Sequence, residues 1–297
     1  MTTAANGART APPGPIEPTR TTYFRSRDGL RIYGELFQPA DPRAAVVIVH
    51  GYSEHGGRYR EVANVLSRLG IASLTFDLRG HGRSEGQRGY VGRFTEYLDD
   101  LDAASTELEG QLGSAVPLGL IAHSNGALVT LRALADPWRR PKRAEFAVLS
   151  SPFLGLKLKV SSAKTMTARI ASLALPSLSL PNELIVSNLT RDAAKQRERR
   201  LDTLCHDVAS ARWFTEAGNT QEWVREFAHR METPSLWLVA GADKVADPAS
   251  TRAVHSRLQS ESEYHELAEH EHEVFNEVGR AQVFDLLGDY LTRKLSL

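Results

Sequence analysis

The order of apolar and polar residues along the chain predicts an alternation of strands and helices. Large apolar residues alternate with polar ones over 22–25 and 30–37, on either side of Asp28-Gly29, which is typical of an antiparallel hairpin. The β-branched run over 44–50 suits a strand that is buried on both faces, and residues 59–69 have the spacing of a helix. A buried strand followed by a helix indicates a parallel sheet.

The same pattern recurs to the end of the chain. Further strands are predicted at 71–76, 118–122, 146–149, 235–240 and 264–267, and further helices at 94–112, 126–135, 248–258 and 274–295. Strands that alternate with helices over this length predict an α/β fold, with a mostly parallel eight-stranded sheet flanked by helices. Ligands are expected beyond the carboxyl ends of the strands of such a sheet.

One long segment breaks the alternation. It begins after Pro152, is rich in Leu and Ser, contains Pro176 and Pro181, and becomes strongly charged over 191–200. We interpret it as a largely helical insertion between two core strands. The predicted division is a flexible N-terminal tail at 1–20, an α/β core at 21–152 and 228–297, and a helical cap insertion at 153–227.

Composition and charge narrow the possible classes of partner. The 297 residues are 41% hydrophobic and 24% charged, as in a globular protein, and 36 basic residues balance 36 acidic ones. A neutral chain is not expected to bind nucleic acid, because such binding depends on phosphate neutralisation. The single cysteine, Cys205, excludes an internal disulfide. No run approaches the length of a membrane span and no signal peptide is recognised, so a cytoplasmic location is expected.

Ser124 lies where the strand predicted at 118–122 runs directly into a helix. A sharp strand-to-helix turn lifts a serine hydroxyl above the sheet edge, and it requires small flanking residues. The local sequence is close to the G-x-S-x-G motif of serine hydrolases, with Ala122 in place of the first glycine. The alternative is a serine that only forms the N-cap of the following helix. We favour a nucleophile.

A serine nucleophile needs a base and an orienting acid, and both follow in the chain. Asp243 comes directly after a predicted buried strand, beyond the insertion, and His272 comes after the last strand. The order Ser, Asp, His, each at the carboxyl end of a strand, is that of an α/β-hydrolase.

Neighbouring residues offer alternatives for both partners. Asp247 is a second possible acid, or the N-cap of the helix predicted at 248–258. His270 competes with His272 as the base, whereas His265 lies within a predicted strand and is interpreted as a packed or surface histidine. No cluster of ligand residues indicates a metal site.

Five motifs together resemble the monoacylglycerol lipase and lysophospholipase-like branch of the α/β-hydrolases, the serine aminopeptidase S33-type hydrolases. They lie at 49–59, 76–86, 122–126, 241–247 and 272–277. The sequence departs from the usual pattern at Ala122, at Asn125, where methionine or glutamine is common, and at Ala127, where glycine is frequent.

The resemblance implies an α/β-hydrolase fold and a role for each motif residue. Ser124 would be the nucleophile, Asp243 the acid and His272 the base, and the backbone N–H groups of Tyr52 and Asn125 would form the oxyanion hole. No cofactor is implied. The polar side chain of Asn125 is expected to alter the acyl pocket. Five other residues in these motifs, His50, His55, Asp77, Arg79 and His81, are interpreted as scaffold that holds the loops around the site.

The cap insertion supports two interpretations. Its first part combines many leucines with Lys157, Lys159, Lys164 and Arg169 against a single acid, Glu183. Such a cap suits an acyl chain and contact with an anionic lipid surface, but the same leucines would also pack a helix pair onto the core.

We therefore predict a serine ester hydrolase that cleaves monoacylglycerol-like or other single-chain acyl esters through a covalent acyl-enzyme. The alternatives are a short-chain carboxylesterase or an acyltransferase with the same triad, and a non-catalytic ligand-binding protein that keeps the fold. The expected partner is a small acyl ester or lipid, with peripheral contact to a lipid surface.

Overall fold

The computed structural model describes residues 12–113, 115–138, 144–157 and 162–297. The strands are β1 (Arg20–Arg25), β2 (Arg31–Phe37), β3 (Ala44–Val49), β4 (Ile71–Phe76), β5 (Leu118–His123), β6 (Ala144–Ser150), β7 (Ser179–Pro181), β8 (Val208–Ser210), β9 (Ser235–Ala240) and β10 (Ser262–Leu267). The α-helices are α1 (Arg60–Arg68), α2 (Thr95–Leu112), α3 (Asn125–Ala135), α4 (Ser162–Ala174), α5 (Ala193–Leu201), α6 (Ala211–Phe227), α7 (Pro248–His255) and α8 (Arg280–Leu295).

Eight of the strands form one sheet in the order β1-β2-β4-β3-β5-β6-β9-β10. The pairs β1–β2 and β2–β4 are antiparallel, and all other pairs are parallel. The predicted α/β-hydrolase fold, with a mostly parallel eight-stranded sheet, is confirmed. Its central strands are mostly hydrophobic because helices cover both faces, and every residue of β3 is buried.

Alternate residues of a strand face opposite sides of the sheet, and β3 shows this directly. Val47 and Val49 belong to a core layer that also contains residues of α2, α3 and α6. Val46 and Ile48 belong to the opposite layer, which contains residues of α1 and α8. The parallel strands are thereby fixed from both faces, and their carboxyl ends meet along one edge.

The cap insertion lies between β6 and β9. It contains α4, α5 and α6, as predicted, together with a two-stranded antiparallel sheet of β7 and β8 that the hydrophobic pattern does not predict. Each of these strands has only three residues, which is too short for an alternation of apolar and polar positions to be recognised. None of the described helices is long and apolar enough to cross a membrane.

Both ends of the core differ in detail from the prediction. Residues 12–19, which belong to the predicted tail, lie along the core. The carbonyl of Gly14 accepts a hydrogen bond from the side chain of Asn64, and Glu17 forms an ion pair with Arg60. The rest of the predicted tail, residues 1–11, lies outside the described residues. The helix predicted over 274–295 is wrong in its first part, because α8 begins only at Arg280 and residues 274–276 form a 3-10 turn. The carbonyl of Asn276 accepts from Thr190 in the cap insertion, a contact that the helical spacing does not reveal.

Candidate active site

Ser124 occupies a strained turn at the carboxyl end of β5. Its backbone has φ +51° and ψ −114°, which residues with a side chain rarely adopt. The turn is so close to β3 that a Cβ atom on Gly126 would lie 2.3 Å from the carbonyl oxygen of Val49 and 2.4 Å from that of His50. Gly126 therefore has to be glycine. Ala122, by contrast, is fully buried within β5, and its methyl group is accommodated in the core.

The structure brings the serine, a histidine and an aspartate together at this edge of the sheet. Nε2 of His272 lies 2.8 Å from Oγ of Ser124, and Nδ1 of His272 lies 2.7 Å from Oδ2 of Asp243. The other carboxylate oxygen of Asp243 accepts from the backbone N–H groups of Val245 and Ala246 at 2.7 and 2.9 Å. All three side chains are buried, and the chain of hydrogen bonds has the arrangement of a catalytic triad.

The alternative residues lie elsewhere. Asp247 is the N-cap of α7, where its carboxylate accepts from the N–H groups of Ala249 and Ser250. The ring of His270 lies against Gly279, and His265 is on β10 near Glu263.

The electrostatics favour one titrating imidazole next to the serine. Burial opposes protonation of His272, but the carboxylate of Asp243 outweighs it, and the pKa of His272 is raised above its ordinary value. A second imidazole, His123, lies 4.8 Å from it between ring centroids. Burial, together with the proximity of His272, lowers the pKa of His123 to about 4, so that His123 is neutral at neutral pH.

Two backbone amides are available near the serine. The N–H of Asn125 is in the first turn of α3, where helical amides have no partner within the helix. Within the described part of the chain, neither this amide nor that of Tyr52 donates a hydrogen bond to another backbone carbonyl. The side chain of Asn125 is fully buried, and among the described residues neither its Nδ2 nor its Oδ1 has a partner.

His50 and Asp77 fix the loops that follow β3 and β4. Nδ1 of His50 lies 2.6 Å from the carbonyl oxygen of Gly51, and its Nε2 accepts from the N–H of Leu78. The carboxylate of Asp77 accepts from the N–H groups of Gly56 and Arg83 at 2.8 and 2.7 Å. These contacts tie the loop that carries Tyr52 to the neighbouring strand end.

Arg79 and His81 anchor the turn after β4, and His55 joins the core to the cap insertion. The guanidinium of Arg79 forms a buried ion pair with Asp100, and Nδ1 of His81 bonds the carbonyl of Arg79. Nε2 of His55 lies 2.7 Å from the carboxylate of Asp202.

A buried network of four charged side chains lies beside the triad, and the sequence did not predict it. Arg58 pairs with Glu54 at 2.9 Å and with Glu273 at 2.5 Å, and Arg199 lies 3.6 Å from Glu273. Burial opposes ionisation of Glu54, but the positive groups around it, of which the guanidinium of Arg58 has the largest effect, together outweigh burial and hold the pKa of Glu54 below its usual range. The motif at 49–59 contains Glu54 and Arg58, but nothing in the sequence links them to Arg199 in the cap insertion.

A cavity of about 180 Å³ opens above Ser124 between the core and the cap insertion. Its apolar lining comes mostly from the cap insertion and includes Phe153, Leu156, Leu184, Leu189, Ala209, Trp213, Phe214 and Val245. Such a lining suits a hydrocarbon chain placed next to the serine hydroxyl.

One group of residues in the described chain has the composition of a metal site but not its electrostatics. The ligand atoms of His55, Asp202 and Cys205 lie within 4.8 Å of one another. Burial raises the pKa of Cys205 to about 12, so the thiol stays protonated, and Nη1 of Arg199 lies 3.8 Å from its sulfur. Because a guanidinium next to the sulfur repels a cation, we assign no metal to this group.

The fold and the arrangement of Ser124, His272 and Asp243 define an α/β-hydrolase with a serine site. The chain belongs to the family described as serine aminopeptidase, S33, whose model matches residues 40–279. The family predicted from the five motifs is thereby confirmed.

Several proteins of this kind are similar to the chain. Phospholipase YtpA of Bacillus subtilis is 31% identical over 82% of this chain and 93% of its own length. A monoacylglycerol lipase of Mycolicibacterium smegmatis is 26% identical over 94% of this chain and 100% of its own. The crystal structure of Paleococcus ferrophilus monoacylglycerol lipase superimposes with a TM-score of 0.80 at 28% identity, and the match covers 89% of this chain and 99% of that one.

Proposed function

We propose that the protein is a serine ester hydrolase that cleaves monoacylglycerol-like, single-chain acyl esters. The observation that carries the proposal is the pair of hydrogen bonds of His272, to Ser124 and to Asp243, at the base of an apolar cavity. The names of its relatives, a phospholipase and monoacylglycerol lipases, support an ester of a lipid as the substrate.

Each member of the triad has one task in this mechanism. Oγ of Ser124 attacks the ester carbonyl while Nε2 of His272 takes its proton and then passes that proton to the leaving alcohol. Asp243 holds the Nδ1–H tautomer of His272 and stabilises the imidazolium. The same base then activates a water that releases the fatty acid from Ser124.

The negative oxygen of the tetrahedral intermediate needs two fixed donors. We assign this task to the backbone N–H groups of Tyr52, on the loop after β3, and of Asn125, in the first turn of α3. Neither is used by another backbone carbonyl of the described chain. Because the donors are backbone groups, the chemistry does not depend on the side chain of Asn125.

The outer face of the cap insertion suits contact with a lipid surface. Met166, Ile170 and Leu173 are spaced along one side of α4 and are 56%, 61% and 77% exposed. Other exposed apolar side chains follow in the same segment: Leu175, Leu178, Leu180 and Ile185. Arg169 is also exposed; of the predicted basic residues, Lys159 and the side chain of Lys164 lie outside the described residues.

A surface of this composition is typical of proteins that rest on a membrane interface. We propose that the apolar side of α4 touches the lipid surface from which the substrate is taken. The variant Leu173→Asp is then expected to bind less to vesicles of mixed neutral and anionic phospholipid, and its hydrolysis of a water-soluble short ester is expected to stay the same. Unchanged vesicle binding would contradict this part of the proposal.

The experiment that tests the function is a comparison of acyl esters. Hydrolysis of monoacylglycerols and p-nitrophenyl esters from short to long chains is measured for the wild type and for Ser124→Ala, with and without added glycerol. We expect Ser124-dependent hydrolysis that is fastest with medium or long chains. A maximum at short chains would favour a carboxylesterase, and transfer of the acyl group to glycerol would favour an acyltransferase. The absence of Ser124-dependent turnover would favour a binding protein.

A further inference from the structure

The loop of residues 51–54, which carries the amide of Tyr52, is held from two sides. The core holds its ends: one carboxylate oxygen of Glu54 accepts from the N–H of Gly51 at 2.7 Å and from the hydroxyl of Tyr59 at 2.7 Å. The two residues between these ends, Tyr52 and Ser53, make their hydrogen bonds to the cap insertion instead.

Tyr52 reaches the cap insertion through its ring and its hydroxyl. The hydroxyl donates to the carbonyl of Val208 at 2.9 Å, and the ring stacks on Trp213 of α6 with 3.6 Å between centroids and an interplanar angle of 22°. A second ring contact, edge-on, is with His206 at 5.3 Å. The remaining ring contact, with His81 of the core, is also edge-on.

Ser53 has a backbone conformation that needs support from its surroundings. Its φ is +68°, in the left-handed region that is costly for a residue with a side chain. Its hydroxyl donates to the carbonyl of His206, and its own carbonyl accepts from the N–H of His206 at 3.3 Å and from the guanidinium of Arg199 at 3.1 Å. Asn182 donates a further bond to the hydroxyl. All four contacts come from the cap insertion.

We propose that Tyr52 and Ser53 are positioning residues whose side chains act through residues 206–208 of the cap insertion to hold the amide of Tyr52 toward the substrate oxygen. The inference rests on the proposed function, since it assigns a purpose to that amide. Without the cap contacts, Ser53 is expected to leave its left-handed conformation, which rearranges the loop of residues 51–54 and turns the Tyr52 amide away.

Two variants test the inference. Tyr52→Phe removes the bond to Val208 and keeps the stacked ring. Ser53→Ala removes the two bonds of the hydroxyl, to the carbonyl of His206 and from Asn182. The matched control is Tyr33→Phe, which removes a buried hydroxyl bonded to Glu35 on β2, away from the site. Thermal unfolding of each variant identifies any that does not fold. If Ser53→Ala does not fold, Tyr52→Phe, which makes the smaller change, still tests the inference.

The measurements are kcat and KM for a medium-chain p-nitrophenyl ester, and the inhibition constant of an alkyl trifluoromethyl ketone, whose adduct with a serine carries an oxyanion. We expect kcat to fall by about fivefold in each variant and the ketone to bind more weakly by a similar factor, with KM little changed, because the hole binds only the charged oxygen. The control is expected to match the wild type.

The inference would be overturned if kcat is unchanged in both variants or if only KM changes. In either case the wild type would still be an esterase. A lower kcat with unchanged affinity for the ketone would also overturn it, because the oxyanion hole would then be intact. If the wild type itself shows no Ser124-dependent hydrolysis, the proposed function fails, and that result is distinct from these.

Discussion

Asp243 and His272 are joined by a hydrogen bond of 2.7 Å between Oδ2 and Nδ1. Because two backbone amides bind the other oxygen of Asp243, its carboxylate has a fixed orientation and can impose one tautomer on the imidazole. The nitrogen that faces Ser124 is then free to accept a proton.

We expect Asp243→Asn to lower kcat by about 10⁴-fold, because an amide can stabilise the wrong tautomer and does not stabilise the imidazolium. The matched control is Asp247→Asn, which weakens the N-cap of α7 and is expected to cost about 1 kcal/mol of stability at most and to keep kcat near the wild-type value. Steady-state kinetics on one ester compares the two. The opposite order of effects would assign the acid to Asp247.

The pH dependence of kcat/KM follows from the raised pKa of His272. A general base must be neutral, so the rate is expected to fall as the pH drops through this pKa. Since Asp243 raises the pKa above the ordinary value of 6.5, the midpoint of the acid limb is expected above pH 6.5. A pH profile of kcat/KM in the free enzyme measures it. A midpoint below 6.5 would mean that burial, not Asp243, dominates the environment of the base.

Asn125 is expected to reduce stability. Its buried amide has no partner among the described residues, and an unsatisfied buried polar group costs about 1–3 kcal/mol. Asn125→Met, whose apolar side chain has the same number of non-hydrogen atoms, is therefore expected to raise the free energy of unfolding by an amount in this range, measured by urea denaturation. Asn125→Asp is the opposing control and is expected to lower it, because it buries a charge. A methionine variant less stable than the wild type would contradict this expectation.

Gly126 and Gly110 give opposite expectations for the same substitution. Gly126→Ala would place a Cβ atom 2.3 Å from a backbone oxygen that cannot move aside, so we expect the folded protein to lose several kcal/mol, about 3 or more. Gly110 is in α2 with no atom within 4 Å of such a Cβ, and Gly110→Ala is expected to gain about 1 kcal/mol from helix propensity. Urea denaturation compares both. Equal effects would contradict the close approach of the turn to β3.

Much of the fold could be predicted because the relevant signals are local. The run over 44–50 and the strand-to-helix transition at Ser124 each lie within a few residues, and their repetition indicates the parallel sheet. The order of Ser124, Asp243 and His272 likewise places three side chains at one edge of the sheet, since parallel strands end together. The structure brings these three residues together, and their roles remain predictions.

The features that the sequence does not predict depend on contacts between distant parts of the chain. Arg58 and Glu273 form an ion pair across 215 residues of sequence, and Arg199 joins them from the cap insertion. The support of Ser53 by His206 and the short β7–β8 sheet depend on where the cap insertion lies, and no periodicity in a single sequence indicates that position. Arg199 and Glu273 also line the cavity above Ser124.

Capture of the acyl-enzyme tests directly whether Ser124 is the nucleophile of an ester hydrolase. The protein is mixed with a medium-chain p-nitrophenyl ester, quenched in acid within the first turnovers, digested and analysed by mass spectrometry. We expect an added acyl group on the peptide that contains Ser124, and neither adduct nor turnover in Ser124→Ala. Turnover that persists in Ser124→Ala, or an acyl group on a different residue, would contradict it.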